Sequence, residues 1–310
     1  MILRKALPGV PLSAIQRLLR QGRVKLDGKR AGPGTRIRPG QSISIPAREN
    51  EDASRLAEPS PEVPPPGILD ILDILYEDTG LLILNKPAGL ASHGKGSLET
   101  LVRGYLSPKL SPSLSFKPGP LHRLDKPTSG VIAFPVSLEG ARAFSAALRE
   151  RLLVKQYLAL VEGFAGDEEF WEEDLERDRE SGVSRIHKGP AQFLRMSARE
   201  RRGEDLPKRA VTRVRPLVSG RTYSLISAEI ETGRTHQIRA QAAFHGHPLA
   251  GDRKYSGRAG GRPFFLHAWR LLKTGEAEIL LPALPRSITA PLPERFSARI
   301  KELFPGFILE

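Results

Sequence analysis

Residues 121–130 read LHRLDKPTSG, a polar loop that leads into the short apolar run Val131–Phe134. The carboxylate of this loop, Asp125, stands between two cations, Arg123 and Lys126. Nearby positive charge keeps a carboxylate ionised and ready to act as a base or as a nucleophile. An ordinary surface turn with an ion pair explains the same residues equally well. Whether this loop is catalytic or only structural therefore has to be decided from the rest of the chain.

Strand and helix patterns surround this loop without regular alternation, which indicates an α+β domain around a mixed sheet. Strands are predicted at Leu81–Leu84, Val131–Phe134, Tyr157–Val161 and Tyr223–Glu231, and helices at Ser137 to about Leu153 and at Thr235–His245. Two charged, weakly patterned stretches, Gly166–Lys188 and Ala198–Arg209, are predicted to be insertions or surface loops.

The first 47 residues are predicted to form a separate small α/β module. Ile15, Leu18 and Leu19 have helical spacing, Gly22 stops that helix, and Asp27-Gly28 is a tight-turn pair after a short strand. Residues 48–67 contain five prolines between Pro59 and Pro66 and are predicted to be a stiff, extended linker. Residues 68–310 are then the larger domain.

The positive charge of the chain is concentrated in its first module. The whole chain carries a formal net charge of +13 with a pI near 10.2. Residues 1–46 carry ten Lys and Arg residues against one Asp, whereas the linker at 48–67 has a net charge of −3. Such a concentration beside an acidic spacer favours a binding site for a polyanion over a generally basic surface.

Composition and local motifs exclude several classes of protein. The chain has no cysteine, no secretion signal at its N-terminus and no apolar run long enough to span a membrane, so a cytoplasmic protein is expected. The seven histidines are scattered without metal spacing. Residues 89–95 spell G-x-x-x-x-G-K, but Gly96 stands where a nucleotide-binding loop needs Ser or Thr. No metal and no cofactor are predicted.

Four motifs follow one another in a fixed order along the larger domain. NKPAGL at 85–90 precedes HRLDKPTSG at 122–130, and KQYLALVEG at 155–163 and TGRTHQIR at 232–239 follow. This set resembles the motifs of the RluA family of pseudouridine synthases. The basic N-terminal segment resembles the S4-like RNA-binding module that often precedes that catalytic domain.

The resemblance implies an RNA pseudouridine synthase with a mixed, largely antiparallel sheet. In that family such an enzyme isomerises specific uridines, and the S4-like module favours large-subunit (23S) ribosomal RNA as the substrate. The resemblance assigns Asp125 as the catalytic carboxylate and Arg239 as its partner. Tyr157 is assigned as the aromatic residue that stacks on uracil and takes the proton lost from carbon 5. Outside this context, Tyr157 reads as a packing residue and Arg239 as a surface arginine.

Further cations are predicted to bind the RNA. Arg123 is the candidate for filling the space that the target nucleotide leaves when it flips out of its helix or loop. Arg234 and His236 are candidates for phosphate contacts within the same domain. In the first module the predicted RNA-binding residues are Arg17, Arg20, Arg23 and Lys25. The protein is expected to act as a monomer.

Two other functions remain to be compared with this one. A catalytically inactive, ribosome-associated RNA-binding protein of the same fold would show decay at the catalytic positions, yet Asp125, Tyr157 and Arg239 are all present. A zinc-dependent base deaminase needs His and Cys ligands around a catalytic Glu, which a chain without cysteine does not offer in the usual form.

Overall fold

The structure, a computed structural model, describes residues 3, 12–32, 34–38, 40–45, 72–110, 116–178, 182–186, 207–255 and 264–309. The chain divides into two compact units, residues 1–66 with 106–117, and residues 67–105 with 118–310. The predicted linker at 48–67 lies outside the described residues, so the predicted domain boundaries stay predictions. Within the described ranges, no helix has the length and apolar character needed to cross a membrane.

The described part of the first unit combines a helix with a small antiparallel sheet. Helix α1 spans Leu12–Arg20, and strands β1 (Lys25–Leu26), β2 (Lys29–Arg30) and β3 (Ile43–Ser44) follow, with β1 in the centre. Gly22 ends the helix in the left-handed conformation, with φ of +69°. Asp27 and Gly28 have φ of +49° and +78° and form the predicted tight turn. Ile15 and Leu18 are buried, as their helical spacing predicts.

One large sheet organises the second unit. Its ten described strands are β4 (Ile74–Glu77), β5 (Leu81–Lys86), β6 (Ser129–Pro135), β7 (Leu153–Glu162), β8 (Glu169–Arg177), β9 (Ser184–Ile186), β10 (Lys208–Ser219), β11 (Tyr223–Ile230), β12 (Leu266–Lys273) and β13 (Ser287–Thr289). The spatial order is β4-β5-β6-β12-β7-β11-β10-β8-β9, and β13 pairs with β12. The pairing of β6 with β12 is parallel, and every other described pair in this sheet is antiparallel. The predicted fold class is confirmed.

Helices pack against the sheet and form two apolar clusters with it. The described helices of this unit are α2 (Leu98–Leu106), α3 (Leu138–Arg149), α4 (Gln237–Phe244), α5 (Ala277–Leu280) and α6 (Glu294–Leu303). Phe144 of α3 packs in a cluster that includes Leu153 of β7, and Phe296 of α6 packs in a second cluster that includes Leu158. Because side chains alternate along a strand, the two clusters lie on different faces of the sheet.

The prediction that Gly166–Lys188 is an insertion or a surface loop was wrong over most of its length. Strands β8 and β9 come from this stretch and extend the sheet beyond β10. Only Trp171 and Leu175 of β8 are buried, and the three residues between them are all acidic. A strand whose outer face is exposed to water has few apolar residues, so its sequence does not show the alternation by which strands are predicted. The second stretch ends in Lys208 and Arg209, which begin β10, and residues 198–206 lie outside the described ranges.

Two predicted helices are shorter in the structure than in the sequence analysis. Helix α3 begins after its cap Ser137, whose hydroxyl accepts a 3.0 Å hydrogen bond from the Gly140 amide. It ends at Arg149 because Arg151 takes a left-handed conformation with φ of +59°, and Leu153 already begins β7. Helix α4 begins at Gln237 because the preceding residue, His236, also has positive φ, +56°.

The parallel pair of β6 and β12 fixes the end of the 121–130 loop. Gly130 lies opposite Ala268 of β12 and has φ of +109°. A Cβ atom at Gly130 would lie 2.1 Å from the Ala268 carbonyl oxygen, a distance that no side chain tolerates. Glycine is therefore required here for both conformation and space. This close approach holds the loop against the centre of the sheet.

Candidate active site

A cavity of about 990 Å³ opens over the centre of the sheet. The 121–128 loop, strand β7, the 231–236 loop and the start of α4 contribute to its walls. The cations that line it are Arg123, Arg149, Arg151, Lys155, Arg177, Lys208, Arg213, Arg234 and Arg239, whereas its carboxylates are Asp125, Glu229 and Glu231. This excess of positive charge suits a polyanionic ligand.

Asp125 lies in this cavity with its side chain 21% exposed. Its Oδ2 accepts a hydrogen bond of 3.1 Å from Nη1 of Arg239. The Nε2 atom of His236 lies 3.7 Å from the same oxygen. An adjacent guanidinium favours the ionised form of a carboxylate and orients it. Asp125 is thus an oriented carboxylate that a ligand in the cavity can reach.

Arg239 connects two carboxylates below the cavity. Its Nε donates a hydrogen bond to Oδ2 of Asp252 at 2.5 Å, and its Nη2 donates to Oδ1 of Asp252 at 2.8 Å. Its Nη1 donates to Asp125. The side chains of Arg239 and Asp252 are only 5% and 1% exposed. The rings of Tyr255 and Phe264 lie 5.0 and 4.4 Å from the guanidinium carbon. The guanidinium is therefore held rigidly, which fixes the carboxylate above it.

Tyr157 lines the same cavity from the middle of β7. Burial, and secondly the negative charge of Asp125, raise the pKa of the Tyr157 phenol. The phenol is therefore protonated at neutral pH, and it can stack on a ligand and donate a hydrogen bond. Acting as a base requires that it first lose this proton, so the predicted base role stays a prediction.

His236 is positioned by its backbone and by a tyrosine. A residue other than glycine seldom adopts its φ of +56°, so the conformation is itself a reason to look for a function. Its Nδ1 lies 2.9 Å from the hydroxyl of Tyr255. That hydroxyl also accepts a 2.7 Å hydrogen bond from the backbone amide of Ser184 in β9. Both imidazole nitrogens of His236 thus face groups of the protein, and phosphate binding by this residue stays a prediction.

The buried side chain of Gln237 fixes the 231–236 loop to strand β10. Its Oε1 accepts hydrogen bonds from the Thr232 hydroxyl at 2.7 Å and from the Arg234 amide at 3.0 Å. Its Nε2 donates to the Val211 carbonyl at 3.0 Å and to the Thr212 hydroxyl at 2.9 Å. All the hydrogen-bonding capacity of this amide is used within the protein, which makes the loop a rigid part of the cavity wall.

Two exposed arginines stand at the cavity. Arg123 donates from Nη2 to the Thr235 hydroxyl at 3.3 Å, and Arg234 donates from Nε to the Arg209 carbonyl at 3.0 Å. Each guanidinium has further donors for a ligand. Their predicted contacts with RNA stay predictions.

Lys86 supports the 121–128 loop from the protein interior. Its side chain is fully buried at the end of β5, and Nζ donates to the carbonyls of Pro87 at 2.9 Å, Leu90 at 2.7 Å and Lys126 at 3.3 Å. Burial lowers the pKa of Lys86 to about 8, and the negative charge of Asp125 opposes this shift. Since Lys126 follows Asp125 directly, this ammonium fixes the backbone that carries the carboxylate.

The structure brings together the six site residues predicted in the larger domain: Asp125, Tyr157, Arg239, Arg123, Arg234 and His236 all line the cavity. Sequence reasoning missed the roles of Asp252 and Tyr255, although Gly251-Asp252 follows the last motif at a short distance. In the first unit, Arg20, Arg23 and Lys25 are exposed, and the side chain of Arg17 lies outside the described part. Among the described residues, no cluster of three His, Asp or Glu side chains could hold a metal ion.

Two family models match the chain in separate places. The model of the RNA pseudouridylate synthase family matches residues 80–244, which include all the cavity residues discussed above but not Asp252 and Tyr255, which bond Arg239 and His236. The model of the S4 domain matches residues 1–43, the basic segment at the start of the chain.

Curated relatives and solved structures agree with these matches. Ribosomal large subunit pseudouridine synthase C of Escherichia coli (strain K12) is 31% identical, over 97% of this chain and 91% of that relative. Ribosomal large subunit pseudouridine synthase D of Xylella fastidiosa (strain Temecula1) is 36% identical, over 72% of this chain and 66% of that relative. The structure of human RNA pseudouridylate synthase domain containing 4 has a TM-score of 0.57 and 23% identity, over 74% of this chain and 92% of that chain, which shows a shared fold.

Proposed function

Because this chain belongs to the RNA pseudouridylate synthase family, we propose that it isomerises uridines in large-subunit ribosomal RNA and that Asp125 is its catalytic carboxylate. As an RNA pseudouridine synthase, it breaks the bond between ribose and N1 of uracil, turns the base and rejoins it through carbon 5. A proton leaves carbon 5 at the end. The reaction needs no redox step and no group donor.

The hydrogen bond between Asp125 and Arg239, beside Tyr157 in a basic cavity, is the observation that carries the assignment of the site. An ionised carboxylate can attack carbon 1 of the ribose or remove a proton from carbon 2, and both routes release the uracil. In either case the hydrogen bond from Arg239 orients the carboxylate.

Tyr157 is assigned to the uracil base. Its buried ring offers a flat surface on which the detached base turns. If Asp125 forms an ester with the sugar, its negative charge disappears, and one cause of the raised Tyr157 pKa disappears with it. Joining carbon 5 to the sugar breaks this ester and restores the charge of Asp125, so the phenol has to lose its proton while the ester lasts, before it can take the one from carbon 5.

The cations around the cavity are assigned to the RNA backbone. Taking a nucleotide out of its stack costs a few kcal/mol, and phosphate contacts offset part of this cost. Arg123 lies in the same loop as Asp125 and keeps donors for such contacts or for stacking in the vacated position. Arg234 is placed to add a phosphate contact from the opposite loop.

The ribosomal substrate rests on the names of the two curated relatives and on the S4 domain match. In this proposal residues 1–47 form an RNA anchor, 48–67 a linker and 68–310 the catalytic domain. The anchor would bind the large RNA through residues such as Arg17, Arg20, Arg23 and Lys25. Ribosomal RNA as substrate agrees with the cytoplasmic location expected from the sequence, and a single chain carries every assigned residue, as a monomer requires.

Mapping pseudouridine tests the proposal directly. Large-subunit RNA transcribed in vitro is incubated with the purified protein, and RNA from cells with and without the protein is mapped in parallel. We expect at least one uridine that is converted in vitro and that stays unmodified in cells without the protein. Tight RNA binding without any pseudouridine would instead identify an inactive RNA-binding protein of the same fold. Conversion confined to another class of RNA would overturn the ribosomal assignment alone.

Replacing Tyr157 with phenylalanine is expected to slow pseudouridine formation by roughly 10²-fold or more, the range of a proton-transferring group. The ring still stacks on uracil, so RNA affinity and cleavage of the original bond should persist. Single-turnover assays that follow bond cleavage and product separately check this. Tyr76→Phe is the matched control, because its hydroxyl bonds Asp78 and the Ala283 carbonyl and the residue does not line the cavity. A Tyr157→Phe rate equal to that of the parent would make Tyr157 a packing residue.

Deleting residues 1–46 is expected to weaken RNA binding most at low salt. Each phosphate contact contributes a little under one unit to the slope of log affinity against log salt concentration, so the slope should become flatter. Single-turnover chemistry on a saturating minimal stem-loop should survive, because every assigned catalytic residue lies in the second unit. Binding is measured over a range of salt for both proteins, with circular dichroism to check folding. An unchanged slope would mean that the positive charge at the N-terminus does not contact RNA.

A further inference from the structure

The hydroxyl of Tyr255 has two partners among the described residues, and together they fix the direction of its proton. The backbone amide of Ser184 can only donate, so the phenol oxygen accepts that hydrogen bond at 2.7 Å. Burial raises the pKa of Tyr255 to about 12, so the phenol keeps its own proton. Ser184 also brings its hydroxyl near the phenol, but that hydroxyl donates to the Thr235 carbonyl at 2.7 Å. Nδ1 of His236, at 2.9 Å, is therefore the acceptor that the phenol proton faces. The Tyr255 hydroxyl is thus a donor to Nδ1.

This hydrogen bond determines which nitrogen of His236 carries a proton. Burial is the largest cause of a lowered pKa at His236, so the imidazole is neutral at neutral pH and has a single N–H. With Nδ1 occupied as an acceptor, that N–H is at Nε2. The Nε2 atom lies 3.7 Å from Oδ2 of Asp125, within reach after a small movement of either side chain. His236 therefore presents a donor to the catalytic carboxylate, not a lone pair.

The two oxygens of Asp125 consequently have different surroundings. Oδ2 already accepts a hydrogen bond from Arg239 and faces the Nε2 donor of His236. For Oδ1, the described residues supply no hydrogen bond. A carboxylate with both donors on one oxygen leaves the lone pairs of the other free for the sugar.

We propose that Tyr255 and His236 are positioning residues for the reaction: Tyr255 holds His236 in the Nε2–H form, and His236 then holds Oδ2 of Asp125 so that Oδ1 reacts with the target nucleotide. His236 has a left-handed backbone, and its ring lies between the tyrosine and the carboxylate. This inference rests on the proposed function, in which Asp125 is the catalytic carboxylate.

The tautomer of His236 can be read directly by nitrogen-15 NMR of the free protein, without any turnover. The variant His236→Asn assigns the signal, since it removes one imidazole and since asparagine tolerates a left-handed backbone. We expect the wild-type ring to be protonated at Nε2, and Tyr255→Phe to shift the ring towards protonation at Nδ1. Protonation at Nδ1 in the wild type would overturn the proposal. This readout stays informative even if the RNA substrate has been misassigned.

Single-turnover rates on a saturating RNA test the consequence for chemistry. Tyr255→Phe keeps the ring over Arg239 and is expected to lower the rate about tenfold, with unchanged RNA affinity. His236→Asn should have a similar effect, because its shorter amide loses the Nε2 donor. The double variant should be no slower than the slower single variant, since residues that act as a unit are not additive. The control Tyr76→Phe should keep the wild-type rate.

Each alternative outcome has a distinct meaning. Wild-type rates for both single variants would overturn the proposal, and so would independent, multiplicative effects in the double variant. A fall in RNA affinity without a fall in the rate at saturating RNA would overturn the positioning role and support phosphate binding by His236, as predicted from the sequence. A wild-type protein that forms no pseudouridine contradicts the proposed function, whereas the tautomer measured by NMR then still decides whether the geometry is correct.

Discussion

Replacing Asp125 with asparagine is expected to abolish pseudouridine formation while the protein stays folded and binds RNA. The amide retains one oxygen that can accept the hydrogen bond from Arg239, so the local structure should persist. It cannot attack the sugar, and it cannot take a proton from it. Loss of a group that acts directly in the chemistry costs other enzymes a factor of about 10⁴ to 10⁶ in rate. We expect a fall of at least about 10⁴, or roughly 5.5 kcal/mol of transition-state stabilisation.

The measurement is single-turnover conversion at saturating RNA, with affinity and thermal unfolding determined on the same samples. Asp73→Asn is a matched control, because it removes one carboxylate that bonds Asn85 and does not line the cavity. The loss of a negative charge in a basic cavity should leave RNA affinity equal or slightly higher. Turnover of Asp125→Asn within tenfold of the wild type would show that another group carries out the reaction.

Replacing Arg239 with methionine is expected to damage stability and activity together. The substitution leaves the carboxylate of Asp252, which is 1% exposed, without its guanidinium partner. Removing one member of a buried ion pair costs about 3–5 kcal/mol. For a domain of this size that corresponds to a fall in Tm of roughly 10 °C. Asp125, the proposed catalytic carboxylate, also loses the donor that orients it, so the rate should fall even at temperatures where the variant is folded.

A second substitution separates these two effects. In Arg239→Met with Asp252→Asn, the stranded charge is gone, and we expect part of the lost stability to return. The rate should not recover, because Asp125 still lacks its partner. Arg239→Lys provides the complementary comparison, since an ammonium keeps the charge but cannot bond both carboxylates in the same fork geometry. Unfolding at the wild-type temperature for Arg239→Met would contradict the structural part of the argument.

The residues of the candidate site could be predicted from the sequence because they lie in short motifs with a characteristic order. Asp125, Tyr157 and Arg239 come from three such motifs, and the structure brings all three to one cavity. Their catalytic roles stay predictions. The tight turn at Asp27-Gly28 and the helix stop at Gly22 could be predicted because each depends on a local backbone preference.

Other features depend on contacts that a local pattern does not contain. Helix α3 ends earlier than predicted because Arg151 has a left-handed backbone. Glycine is the usual residue at such a position, so the sequence contained no signal for the end of this helix. Strand β8 has a sparse apolar pattern because it is close to the edge of the sheet. The roles of Asp252 and Tyr255 arise only when Arg239 and His236 meet them in the folded chain.

The parallel pairing of β6 with β12 also affects the order in which the protein folds. Ser129 and His267 bond each other at 2.8 Å across 138 residues of sequence, and the antiparallel strands β7 to β11 lie between them in the chain. Contacts of such high sequence separation form late, because the entropy of closing a long loop opposes them. During synthesis, the end of the 121–130 loop at Gly130 cannot pair with β12 until the chain has emerged past Ala268. A nascent chain that stops before β12 would therefore carry the basic N-terminal segment and all the residues assigned to the site, but not the strand against which Gly130 is held.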